Sequence, residues 1–251
     1  MRRGGDGEGL GSRTDQDPSG AAPHLRGGRR PQHGVSEGCG RQSRGRPRGG
    51  GAAGELHGLR PPGSESFFHH ALPPGIGLIE TWLPGFGACL FHAVTALFER
   101  GHEAACVLNA DSPTLPTGLL VELADRLARP GDRAVLGPAE DGGYWVLGLK
   151  APHRRLFEAI DWSTERVAAQ TLARAAEIGL PVEILPTWYD VDDRASLRRL
   201  VAEVLQGYRP GPERPALHPA PATAAFLRDT FARTDLADRL DLARPREPEV
   251  A

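Results

Sequence analysis

The chain has 251 residues, a hydrophobic fraction of 39% and a formal net charge of −2, which leaves room for one α/β domain of ordinary size together with tails. Charge is unevenly spread: residues 1–63 hold 18 of the 32 glycines and eleven arginines against six acids, a net of about +5, while the remainder carries about −7. The acidic larger part argues against a general nucleic-acid-binding face, and no apolar run approaches the ~18 residues of a membrane span.

Residues 1–75 read as low-complexity Arg/Gly/Pro-rich text with too little apolar surface to offset the entropy of ordering. Lys150 is the only lysine among 30 basic residues, which points to a GC-rich gene, so the segment is expected to be disordered or translated outside a selected frame. Cys39, Cys89 and Cys106 form no CxxC pair; Cys89 and Cys106 lie in apolar surroundings and read as small buried hydrophobes. With no signal-like apolar core after the early arginines, a cytoplasmic protein is expected.

Periodicity becomes regular from residue 86. "FGACLFHAVTALFER" places Leu90, Phe91, Val94, Leu97 and Phe98 on one helical stripe that Gly101 ends. "AACVLNA" is a short apolar strand running into an aspartate, and "TGLLVELADRLARPG" a helix with Thr117 as its N-cap. "RAVLGPA" and "YWVLGLK" are strands separated by the turn "EDGG". "HRRLFEAI" predicts a short helix, and Ser163 is placed to cap a longer one reaching Ile178. "PVEILP" is a strand, "TWYDVDD" a turn, and "RASLRRLVAEVLQ" a helix with Leu197, Leu200, Val201, Val204 and Leu205 inward. Residues 207–222 form a Pro-rich linker, and 223–251 a final helix and tail. The alternation over 82–206 predicts a mainly parallel sheet with helices on both faces and ligands at the carboxyl ends of its strands.

Aspartates gather at those ends. Asp111, just before Ser112-Pro113, suits a hard cation such as Mg²⁺ or Mn²⁺, or equally an Asx-type turn. Asp190 and Asp192, two apart in an extended segment, can point the same way, although Asp192 or Asp193 can instead cap the next helix. In "AEDGGYW", Asp141 can bond sugar hydroxyls, Gly142-Gly143 permits a close backbone approach, and Tyr144 offers a ring for stacking; the competing reading is an ordinary hairpin turn. "DWSTERV" reads also as a capped helix start with Trp162 in the core. Ser112 lacks a GxSxG frame, the nine histidines lack zinc spacing, and no Walker lysine exists.

Taken in order, "NADSPTLP", "AVLGPAEDGGYWVLGL", "LFEAIDWST" and "GLPVEILPTWYDVDD" resemble the small bacterial glycosyltransferase-like proteins described as a domain of unknown function or as arsenosugar-biosynthesis and selenodomain-associated transferases. These belong to the nucleotide-diphospho-sugar transferase superfamily, with the GT-A fold. The resemblance covers about residues 82–205. It implies Asp111, Asp190 and Asp192 as ligands of a divalent Mg or Mn ion, and Asp111 and Asp141 as catalytic carboxylates. It further implies Asn109, Ser112, Gly142, Gly143, Tyr144, Trp162, Ser163 and Thr164 as substrate-binding residues. The partners would be a nucleotide-sugar donor and a small-molecule acceptor, with no specific nucleic acid and no membrane. Relatives open with a strand and a basic loop of the kind "PVPGRVKTRL", which residues 1–81 do not match, so the expected GT-A-like sheet lacks its N-terminal strand–loop unit. Two alternatives follow: a nucleotidyltransferase of the same superfamily, and a non-catalytic fragment without the donor loop.

Overall fold

The structure, a computed structural model, describes residues 56–59, 76–81, 83–208, 211 and 215–242. Most of the expected low-complexity segment 1–75, with Cys39, lies outside the described residues, as do parts of the 207–222 linker and the tail after 242. Two strands, β1 (Leu56–Leu59) and β2 (Gly77–Glu80), pair in parallel ahead of residue 82, where the sequence placed the start of the domain. Four residues each, "LHGL" and "GLIE" are too short to show a period. Ile79 and Thr81 are buried, and the Cys89 thiol donates to the Thr81 carbonyl at 2.7 Å.

There follow α1 (Phe86–Glu99), β3 (Ala105–Leu108), α2 (Thr117–Ala128), β4 (Ala134–Pro138), β5 (Tyr144–Leu149), a 3₁₀ turn (Arg154–Phe157), α3 (Val167–Glu177), β6 (Val182–Ile184), α4 (Arg194–Leu205), α5 (Pro221–Arg233) and α6 (Leu236–Arg239). Three boundaries depart from expectation. Helix α2 takes Pro116, not Thr117, as its N-cap, with Leu119 N–H donating to the Pro116 carbonyl at 2.9 Å. Helix α3 begins at Val167 because Ser163 sits in a left-handed turn at φ 64°, closed by Thr164 Oγ1 donating to the Asp161 carbonyl at 2.7 Å. The final helix is two, divided where Thr234 is extended.

The four-stranded sheet has the order β3-β5-β4-β6. Strands β3, β4 and β6 share a direction, but β5 lies between β3 and β4 and runs against both, so only the β4–β6 pairing in this sheet is parallel. The expectation of a mainly parallel sheet is corrected accordingly: residues 139–143 are too few for a crossover helix and close a hairpin instead. One face is covered by α1 and α3, with Val94 and Ala175 against Leu136, Leu147 and Leu149; the other by α2, with Leu119, Leu123 and Leu127 against Val135 and Val146. Each buried Val or Leu side chain among them stabilises by ~1.5–3 kcal/mol. Helices α4 and α5 meet through Leu200, Val201 and Leu227.

Two surface residues complete the frame. Cys106 is exposed, contrary to expectation: it points to the face opposite Ala105, on β3 at the edge of the sheet. Lys150 donates its ammonium to the Arg129 carbonyl at 2.7 Å, closing the end of α2. Among the described residues no helix is long and apolar enough to cross a membrane.

The β4–β5 hairpin carries a bulge. Gly137 faces Val146 while Pro138 faces Tyr144, which leaves Trp145 as an extra residue. Trp145 and Val146 both enter the core on the α2 side, and Tyr144 is thrown to the opposite face. The indole occupies the space that Gly137 leaves open, where an added Cβ would lie 2.2 Å from the ring, and its Nε1 donates to the Pro186 carbonyl at 3.0 Å. Gly137→Ala is therefore expected to destabilise by about 1–3 kcal/mol through overpacking, read as a lower urea midpoint at unchanged slope. An unchanged midpoint would show that the indole has room to shift.

Candidate functional site

Strands β3, β4 and β6 end at one rim of the sheet, where β5 begins. Backbone hydrogen bonds continue past the strands and gather the loops. Asn109 N–H donates to the Trp145 carbonyl at 3.0 Å, Trp188 N–H to Pro138 at 3.0 Å, Glu140 N–H to Trp188 at 2.9 Å, and Val191 N–H to Asp111 at 3.0 Å. The last bond sets the loop after β3 beside the loop after β6. Asp111, Asp190 and Asp192 consequently each offer a carboxylate oxygen within 4.8 Å of the others. Helix capping falls to Asp193, which accepts from Ser196 N–H at 2.7 Å in a capping box, so Asp192 is left to face the rim.

Crowded carboxylates resist ionisation. Burial, and after it the charges of Asp141, Asp192 and Asp111, push the Asp190 carboxyl up to about 6. Burial also raises Asp111, with Asp192 and Asp141 adding to it. Asp111 Oδ1 is buried without a hydrogen-bond partner, an unmet acceptor aimed among acidic neighbours. An all-oxygen set of this kind fits a hard divalent ion such as Mg²⁺ or Mn²⁺.

The aspartates line a cleft of about 570 Å³. Asp141, Gly143 and Tyr144 reach it from the β4–β5 turn, where Gly143 N–H donates to Asp141 Oδ1 at 2.8 Å; the segment is both a hairpin turn and a cleft wall. Tyr144, redirected by the bulge, has its hydroxyl buried without a partner, and burial raises its pKa. Trp162 packs edge-on against Phe86, ring centroids 5.2 Å apart, and stands in the wall with Ser163 and Thr164. Asn109 lines the cleft, donates from Nδ2 to Ser112 Oγ at 3.0 Å, and keeps a buried, unpartnered Oδ1.

Two expected site residues stand behind the cleft. Ser112 is 2% exposed and donates to the Tyr189 carbonyl at 2.8 Å, so it orders the loop beneath Asp111. Gly142, at φ 92°, passes so close to the turn leading into α3 that an added Cβ would lie 2.2 Å from the Glu165 carbonyl oxygen; its role is that close approach. The sequence reading missed Phe86, Leu90 and Glu165 in the lining. Phe86 left one signal, a large aromatic at the helix start outside the inward stripe, and it is 50% exposed.

Residues 58–164 match the model of a family described as "Uncharacterized protein conserved in bacteria (DUF2064)". No curated protein matches the chain significantly. A crystal structure from Desulfovibrio desulfuricans G20, of a protein provisionally named a nucleotide-diphospho-sugar transferase, aligns with a TM-score of 0.62 over 84% of this chain and 83% of its own, at 22% identity. What that likeness shows is the architecture: the helix-flanked sheet is a GT-A-like, nucleotide-diphospho-sugar-transferase-type fold.

Proposed function

We propose that the cleft binds a nucleotide-diphospho-sugar together with Mg²⁺ or Mn²⁺ and transfers the glycosyl group to a small-molecule acceptor. One observation carries the reading: among the described residues lining the cleft, Asp111, Asp141, Glu165, Asp190 and Asp192 are acidic and none is basic. A diphosphate oxygen about 4 Å from a carboxylate is repelled by about 4 kcal/mol at an effective dielectric of 20, more than the ~1 kcal/mol a neutral hydrogen bond returns. An anionic donor therefore enters this cleft only with a cation between the charges. Asp111, Asp190 and Asp192 would hold that ion, which when bound neutralises the diphosphate and the charge growing on the departing nucleoside diphosphate.

The remaining groups suit a sugar. The Tyr144 hydroxyl and Asn109 Oδ1 supply an unpaired donor and acceptor, Asp141 a carboxylate for sugar or acceptor hydroxyls, and Trp162 with Phe86 an apolar wall for a pyranose or base face. Ser163, Thr164 and Gly143 add polar rim and backbone contacts. In this reading the chain is akin to the arsenosugar-biosynthesis and selenodomain-associated transferases, which its "NADSPTLP" and "TWYDVDD" segments resemble.

Calorimetry with UDP is expected to show binding in the presence of Mn²⁺ and none in EDTA; equal binding in both would remove the cation from the site. Asp111→Asn should weaken Mn²⁺ binding roughly tenfold or more. If nucleoside triphosphates with a sugar phosphate are consumed while nucleotide sugars are not, the activity is nucleotidyl transfer. The pH dependence has a defined sign. Asp190 holds its proton up to about 6 in the folded chain against an ordinary 3.8, so between these values the folded state binds more protons than the unfolded. Cation-free stability is thus expected to fall as pH rises through that interval, while Mn²⁺ affinity climbs and then levels above about 7. Thermal melts at pH 4, 5, 6 and 7, with and without Mn²⁺, read both trends; a flat cation-free profile would count against the clustered charges.

A further inference from the structure

Helix α4 carries a carboxylate turned inward. Glu203 is 5% exposed, and its Oε2 accepts from Thr114 Oγ1 at 2.6 Å and from the Tyr189 hydroxyl at 2.6 Å, the two hydroxyls being 3.0 Å apart. Its Oε1 accepts from Arg199 Nε at 3.1 Å, one turn back on the helix. Arg199 in turn donates to both oxygens of Glu140, at 2.9 and 3.1 Å, and its guanidinium lies 3.7 Å over the Tyr189 ring. Removing a carboxylate from water is costly unless directional bonds satisfy it, and an apolar cluster of the same volume would hold these segments together equally well. What a polar network adds is fixed geometry.

The partners are distributed in a telling way. Thr114 lies three residues after Asp111 in the loop stiffened by Pro113 and Pro116, Tyr189 immediately precedes Asp190, and Glu140 immediately precedes Asp141. Each branch of the network thus ends beside a different acidic residue of the cleft. Two of the branches are also stitched directly, by Ser112 Oγ to the Tyr189 carbonyl and Val191 N–H to the Asp111 carbonyl. Mutual repulsion tends to drive these loops apart, and the short bonds to one buried oxygen oppose it.

We propose that Glu203 is a positioning residue: through Thr114, Tyr189 and Arg199 it sets the separation of Asp111 from Asp190 and Asp192, and so the cation affinity of the cleft, without itself touching cation or substrate. The inference rests on the cation reading given above. Partners behind a metal's ligands typically govern affinity by ten- to a hundredfold.

The test titrates Mn²⁺ into the full chain, following free Mn²⁺ by electron paramagnetic resonance, with melting temperatures of the same samples in EDTA. Tyr189→Phe and Thr114→Val each delete one hydroxyl. Leu127→Ala, in the α2 core against Gly148 and away from the cleft end of β5, is a packing control. The two hydroxyl deletions are expected to weaken Mn²⁺ binding about tenfold, while Leu127→Ala melts lower than either yet binds as wild type. Glu203→Gln, which keeps an acceptor oxygen, should retain more affinity than Glu203→Ala. Wild-type affinity in both hydroxyl variants overturns the proposal, as does an affinity that follows melting temperature across the whole set. Should Tyr189→Phe fail to fold, Thr114→Val decides. Absence of Mn²⁺ binding in the wild type would instead defeat the cation reading, and this one with it.

Discussion

Carboxylates as close as Asp111, Asp190 and Asp192 repel one another, and the rim of this sheet is organised around holding them there. The restraint is the backbone: the Val191–Asp111 bond and the extension of β4–β6 pairing through Pro138, Glu140 and Trp188 leave neither loop free to retreat. Those bonds depend in turn on the two apolar cores that fix the strands, with Leu136 and Leu147 on one face and Val135 and Val146 on the other fully buried. Burial first, and the neighbouring carboxylates after it, make ionisation costly here, so Asp111 and Asp190 are both raised. A rim in that condition is primed for positive charge, and the stability of the rest of the domain is what maintains it.

Shape is governed by a smaller device. A single additional residue in β5 reverses the facing of everything before it, so Tyr144 stands over the cleft while Trp145 is sealed in the opposite core. Gly137 makes this possible by having no side chain where the indole lies, and Gly142 does the equivalent for the turn against Glu165. Two glycines and a tryptophan, none contributing a charged group, thereby decide which polar atoms the cleft presents.

Much of this was legible in the sequence where the signal is local. A run of small apolar residues breaking into Asp111 and prolines marks a strand end, and the spacing of Asp190 and Asp192 puts two acids on one side of an extended segment. The choice between capping and cleft-facing aspartates was also present, since Ser196 stands three residues after Asp193 as a capping box requires. Sheet direction was readable from the length of "AEDGG", which is too short to return a parallel strand. Long-range effects were not legible. Arg199 and Glu203 look like an ordinary surface i,i+4 pair until folding brings Thr114 and Tyr189 against them, and the approach of α3 to Gly142 has no counterpart in neighbouring sequence. β1 and β2 are too brief for periodicity to reveal.

One inherited oddity of composition has a practical side. Lys150, the sole lysine, closes β5 at the end away from Tyr144, roughly 20 Å from the cleft at strand spacing. Amine-directed reagents such as activated esters therefore meet a single side-chain target on this protein, and that target is remote from the acidic rim. Among side chains, dye attachment by such a reagent would fall on this one residue and leave the acidic rim unmodified.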